Sequence, residues 1–295
     1  MKPTPTDERG TIRGWLEPAE DRHGLEQILR TAPSAILDGA LSLRVHEDLY
    51  EMPCSSSRDA QLTNLLQGLY QGTIKRYVVY AETQAGPRII KLTETRNFGH
   101  RLGGLLSFSS GRQEHHNQRR VESLGIAAAR SLGYLELCRG PWLIRSAQIQ
   151  SLTDSRRPLL DDFIRHQYQA FGYEAFAALG EALAKTHAQQ FFHADLKGFH
   201  AQIKTETLAP TNPSRYTLLW LDLGRVHFRL TRRRRIINLY QMLRFVIPPE
   251  GQARDAFMRS YCEETGWYRD SPNRAMKIVG EFLEKKLRVS PGQMS

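Results

Sequence analysis

Two aspartates carry the chemistry that the residue types suggest. The first lies in Phe192-His193-Ala194-Asp195-Leu196-Lys197, and the second follows 27 positions after it, in Leu221-Asp222-Leu223-Gly224. Each ends an apolar run, and the chain between them is long enough for a β-hairpin. A kinase-type fold separates two acids in this order: a base that accepts the proton of an attacking hydroxyl, and an acid that holds magnesium on nucleotide phosphates. A His-x-Asp triplet alone arises often by chance, but order, spacing and flanking hydrophobicity together point to phosphoryl transfer. Asp195 is then the base, orienting the hydroxyl more than stripping it, because the transition state is loose. Asp222 is the magnesium ligand, since magnesium takes oxygen donors. The competing reading for either is a turn residue or helix cap.

Other residues fit around this pair. Lys91 ends the β-branched run Arg88-Ile89-Ile90-Lys91-Leu92, downstream of the glycine-bearing stretch that holds Gly68 and Gly72. Backbone amides of such a loop can cover phosphates, and a strand lysine can reach the α and β phosphates. The loop is not a full GxGxxG, so an ordinary β-turn is equally compatible. Glu114 can ion-pair with Lys91, the alternative being a solvated helix carboxylate. His115 and His116 are adjacent, about 100 degrees apart on a helix, and are assigned no metal. His193 reads as a packing residue bonded to backbone. His200 stands five residues after the base, where a protein kinase has Asn for a second metal. Imidazole is a poorer magnesium donor, so His200 either joins Asp222 at the metal, binds phosphate or structures the loop. Arg232-Arg233-Arg234-Arg235 can grip an acidic acceptor or form the solvated first turn of a helix.

These residues need positioning elements. Leu41 to Thr93 reads as strand-rich, with Gly86-Pro87 as a turn signal. Gln113 to Leu124 suits a helix closed by Gly125. Tyr134–Leu137 and Trp142–Ile144 read as strands about Arg139-Gly140-Pro141. Phe176, Leu179 and Leu183 recur at helical spacing within 172–187. Ile203 and Tyr216–Leu221 make a hairpin whose turn is Thr211–Ser214, and from Thr231 onward the pattern is helical. The expected class is α+β: a bilobal, protein-kinase-like fold with a β-rich N-lobe (41–146), a mainly helical C-lobe (147–295), and an N-terminal extension (1–40) of no assigned role.

The composition is that of an ordinary globular protein, 40% hydrophobic and 24% charged, and no apolar stretch approaches the roughly 18 residues of a membrane span. Met1 to Gly10 shows no apolar signal region. Cys54, Cys138 and Cys262 are far apart and without CxxC spacing, which suits reduced thiols rather than a zinc site or disulfides. The net charge of +10 favours anionic partners. No zinc-finger or RNP signature accompanies it, so nucleic acid is not the expected partner.

With these motifs in view, the chain resembles the lipopolysaccharide kinase (Kdo/WaaP) family, from about Leu66 to Phe245. The resemblance rests on His193, Asp195 and His200, on Ile90-Lys91, on Gly111-Arg112-Gln113-Glu114 with Leu124-Gly125-Ile126, and on Leu221–Arg235. It makes His200 a family trait. Ala194, in place of the usual Arg, and Leu196-Lys197-Gly198-Phe199 depart from the family pattern and bear on the acceptor. The resemblance implies ATP and Mg2+ as cofactors. It also implies a cytoplasmic location, with a peripheral place at the inner membrane, and a heptose or Kdo acceptor on the lipopolysaccharide core (lipid A-core). A basic surface suits such an acceptor beside an anionic membrane surface. The rival readings are a kinase for another small-molecule or protein acceptor, and a pseudokinase or scaffold at the membrane surface.

Overall fold

The computed structural model describes residues 10–17, 22–30, 43–44, 76–83, 86–95, 109–152, 159–160, 164, 172–206, 215–249 and 251–289. The chain divides into two compact units, one of Met1–Arg120 with Ala129–Thr153, the other of Val121–Ala128 with Asp154–Ser295.

The first unit is built on an antiparallel sheet. Its strands are β1 (Thr11–Leu16), β2 (Leu43–Arg44), β3 (Arg76–Thr83), β4 (Gly86–Glu94), β5 (Ser131–Arg139) and β6 (Trp142–Ser151). Among the described residues they lie side by side in the order β1-β5-β6-β4-β3-β2. Alternation along each strand sorts the side chains. Tyr77 and Val79, Ile90 and Leu92, Leu135 and Leu137, and Ala147 and Ile149 form one apolar face. Helix α1 (Arg22–Arg30) adds Leu25 and Leu29, one turn apart, to that core. Fully buried Arg145 joins helix and sheet, with Nε 2.5 Å from Glu94 Oε1 and Nη1 donating to the Leu29 carbonyl at 2.5 Å. Residues 11–30, set apart by sequence as part of an extension, thus supply a strand and a helix to the first unit. Its boundary falls at Thr153, because β6 runs on through the polar but buried Gln148 and Gln150. Gly86 and Pro87 open β4 rather than forming the turn, and residues 84–85 lie outside the described residues.

Helix α2 (Ser110–Ser123) is capped at its start by Ser109, whose Oγ accepts from the Arg112 amide at 3.1 Å. It is closed by Gly125 at φ +70°, a conformation glycine adopts without strain.

The second unit is mainly helical: α3 (Glu174–Ala188), α4 (Arg232–Phe245), α5 (Gly251–Thr265) and α6 (Pro272–Val289). Phe176, Leu179 and Leu183 of α3 pack in one core with Leu239 and Met242 of α4, Phe257 and Tyr261 of α5, and Val279 of α6. Two short ribbons complete it: β7 (Phe192–His193) with β10 (Val226–His227), and β8 (Ala201–Glu206) with β9 (Arg215–Trp220). The expected turn at 211–214 lies outside the described residues. Among the described residues, no helix is long and apolar enough to cross a membrane.

Candidate active site

The ribbons of the second unit bring its two acids together. Asp195 follows β7, Asp222 follows β9, and the β8–β9 hairpin lies between them in sequence. Leu196 and Leu223, each at most 1% exposed, anchor the two loops in the core. Ala194 N–H donates to the Arg225 carbonyl at 2.8 Å, so the loops run beside one another.

Two imidazoles tie them further. His193 is buried and stacks on Trp220, ring centroids 5.3 Å apart. Its Nε2 donates to the Asp222 carbonyl at 2.5 Å, and its Nδ1 accepts from the Asp195 amide at 3.3 Å. That assigns the neutral tautomer protonated at Nε2. His200, on the 3-10 turn Gly198–His200, uses the opposite tautomer. Its Nδ1 donates to the Asp195 carbonyl at 2.6 Å and its Nε2 faces Asp222 Oδ2 at 4.0 Å. Burial pushes the His200 pKa down to about 4, against the pull of Asp222, and the imidazole is neutral at physiological pH. Gly224 N–H holds Asp222 Oδ1 at 2.9 Å, which leaves Oδ2 turned toward His200. The Asp195 side chain is 23% exposed, and its Oδ2 lies 3.7 Å from Lys197 Nζ.

Asp222 Oδ2 and His200 Nε2 fit a divalent cation. Their separation is within the ~4.2 Å that two donors at about 2.1 Å each can span. Among the described residues, no group of three or more His, Cys, Asp or Glu side chains is arranged to hold a metal. A cation held by these two donors would take remaining ligands from water and phosphate oxygens, which is how magnesium is usually held.

In the first unit, Lys91 alternates with Ile90 and Leu92, so its side chain leaves the sheet on the face opposite the apolar core. Helix α2 presents Glu114 there. Lys91 Nζ is ion-paired with Glu114 Oε1, and Arg76 Nη2 lies 3.0 Å from Oε2. Glu114 is fully buried, so this carboxylate is held between two cations. The face of α2 that packs on the sheet is polar: Gly111, Glu114, His115 and Gln118 recur at helical spacing. Gln148 Nε2 donates to Gln118 Oε1 at 2.6 Å, Gln118 Nε2 donates to Gln150 Oε1 at 3.1 Å, and His115 Nδ1 bonds Ser131 Oγ at 2.8 Å. At Gly111 the helix touches the backbone of β6: a Cβ there would lie 2.6 Å from the Ala147 carbonyl oxygen. His115 is buried and His116 exposed. Gly68 and Gly72 lie outside the described residues.

Sequence reasoning missed five residues here. Asn238 and Gln241, one turn apart on α4, grip the segment before Asp195. Asn238 Nδ2 donates to the His193 carbonyl at 2.6 Å, its Oδ1 accepts from the His193 amide at 3.4 Å, and Gln241 Nε2 donates to the Ala194 carbonyl at 2.9 Å. Behind them His187, its pKa pushed down to about 4 by burial, bonds Asn238 Oδ1 at 3.2 Å and Tyr261 Oη at 2.6 Å. Buried polar residues on a helix look like surface in sequence, and nothing marked them. Arg76 carried no signal either. Lys197 did, since a cation two positions after Asp195 on extended chain projects to the same side. The arginine run forms the first turn of α4, capped by Thr231. Arg234 lies over the Phe192 ring at 5.5 Å and Arg235 over Trp267 at 5.6 Å, while Arg232 and Arg233 are exposed.

No protein-family model matches the chain, and no curated protein matches it in sequence. Among solved structures, WaaP in complex with acyl carrier protein superposes with a TM-score of 0.53 at 16% identity, over 92% of this chain and 98% of that one. At this identity the likeness speaks to the fold alone, and the fold of this chain is WaaP-like.

Proposed function

We propose that this protein is an ATP-dependent kinase that phosphorylates a sugar hydroxyl, heptose or Kdo, of the lipopolysaccharide inner core. The observation that carries the reading is the coupling of Asp195 to Asp222 through His193 and His200, because phosphoryl transfer needs an orienting carboxylate held at a set place relative to a cation-binding one. Asp195 orients the acceptor hydroxyl and takes its proton. Asp222, with His200, holds the divalent cation, which when bound neutralises phosphate charge. Lys91, fixed by Glu114, meets the nucleotide phosphates, and Gly68 and Gly72 belong to the covering loop. The WaaP-like fold supports a kinase, and the motif resemblance supports the lipopolysaccharide acceptor. The net charge of +10 and the exposed Arg232 and Arg233 suit an anionic glycolipid at the cytoplasmic face of a membrane.

Mass spectrometry of lipopolysaccharide from cells lacking the protein tests the reading: one core phosphate should be lost and should return with the wild-type gene, not with Asp195→Ala. An unchanged core would refute the acceptor. A magnesium-dependent thermal shift with ATP, paired with an ATPase assay, separates a kinase for another acceptor, which binds and turns over, from a scaffold, which binds without turnover.

A further inference from the structure

His200 is fixed in a way that selects among cations. The Asp195 carbonyl can only accept, so Nδ1 carries a proton, and the neutral ring presents its lone pair at Nε2. That lone pair looks at Asp222 Oδ2 across 4.0 Å, while the Gly224 amide steers the other carboxylate oxygen away. A cation held between these two atoms would be drawn to both. The donor pair is then one carboxylate oxygen and one imidazole nitrogen. Magnesium binds nitrogen weakly, whereas imidazole affinity rises along the first-row divalent series toward nickel and copper. An Asn at this position would offer only a hard amide oxygen.

We propose that the Asp222–His200 position selects a first-row transition divalent cation over magnesium when filled together with a nucleotide. This rests on the kinase reading above, and the test keeps the two apart. The full chain is titrated calorimetrically with Co2+·ADP and with Mg2+·ADP, each corrected for the cation's own affinity for ADP. The cobalt complex should bind about tenfold more tightly or better, about 1.4 kcal/mol. His200→Asn, whose amide can still donate to the Asp195 carbonyl, should cancel that preference. Independently, pulsed electron paramagnetic resonance of Mn2+·ADP on protein carrying 15N-histidine should show coupling to an imidazole nitrogen. The label distinguishes histidine from adenine nitrogen, and the wild-type spectrum decides even if the variant fails to fold. Equal binding of both complexes, without 15N coupling, overturns the selectivity and leaves the nucleotide-site reading standing. Binding of neither complex overturns both.

Discussion

Gly111→Ala and Gly280→Ala are the same chemical change in two helices, and the structure assigns them opposite signs. At Gly111 in α2, the added Cβ would sit 2.6 Å from the Ala147 carbonyl oxygen and 2.8 Å from its carbonyl carbon, both backbone atoms of β6. Ordinary contact begins at 3.4 Å, so the start of α2 must move by roughly 0.8 Å, and a strand held by neighbours on both sides cannot yield as a side chain would. Overpacking of this kind costs about 1–3 kcal/mol, against a gain of about 1 kcal/mol from replacing glycine in a helix. The net is a loss of up to about 2 kcal/mol. The same displacement carries Glu114, one turn along, away from Lys91 and Arg76, so nucleotide affinity should fall as well. At Gly280 in α6, nothing lies within 4 Å of the added Cβ, and the substitution should stabilise by up to about 1 kcal/mol. Urea unfolding of the full chain, followed by circular dichroism with transitions of the two units fitted separately, measures both. A Gly111→Ala protein stabilised as much as Gly280→Ala would refute the packing of α2 on β6.

Glu114→Gln leaves Lys91 and Arg76 without their shared carboxylate; because Arg76 is partly exposed and can turn to water, the loss should be near about 3 kcal/mol, measured by urea unfolding. A loss under about 1 kcal/mol would contradict a buried ion pair. Asn238→Ala strips the His193 amide and carbonyl of their partner, so it should cost about 1–3 kcal/mol and speed hydrogen exchange at the His193 amide. His115, His187 and His200 each have a pKa lowered to about 4, chiefly by burial, against about 6.5 unfolded. Between these values the unfolded chain binds more protons, so stability rises with pH and is lost as pH falls from about 6.5 to about 4, at up to about 1.4 kcal/mol per pH unit for each histidine. A melting temperature constant across that window would contradict the burial of these rings.

The pair of acids was legible because both lie on local patterns: short apolar runs ending in Asp, with a hairpin between. Lys91 was legible for the same reason, its strand alternating with Ile90 and Leu92. Helix α2 was legible as a helix but its buried face was not, since Gly111, Glu114, His115 and Gln118 are the residues that hydropathy assigns to water. The sheet partner that makes those groups buried, with Gln148 and Gln150, lies more than 25 residues further along the chain. Asn238 and Gln241 escaped notice similarly, because their partners are backbone groups of His193 and Ala194. Strand β1 and helix α1 went unassigned: Leu25 and Leu29 are two apolar residues on a short polar helix, and only the docked sheet gives them a place.

The joint action of Asp195 and Asp222 in phosphoryl transfer is the central proposal. Its most direct test is incubation of the purified protein with ATP, a divalent cation and dephosphorylated lipid A-core, followed by mass spectrometry of the core oligosaccharide. The wild-type protein should add one phosphate, and Asp195→Asn and Asp222→Asn should each add none while remaining folded. Transfer by either variant at the wild-type rate would contradict the assignment.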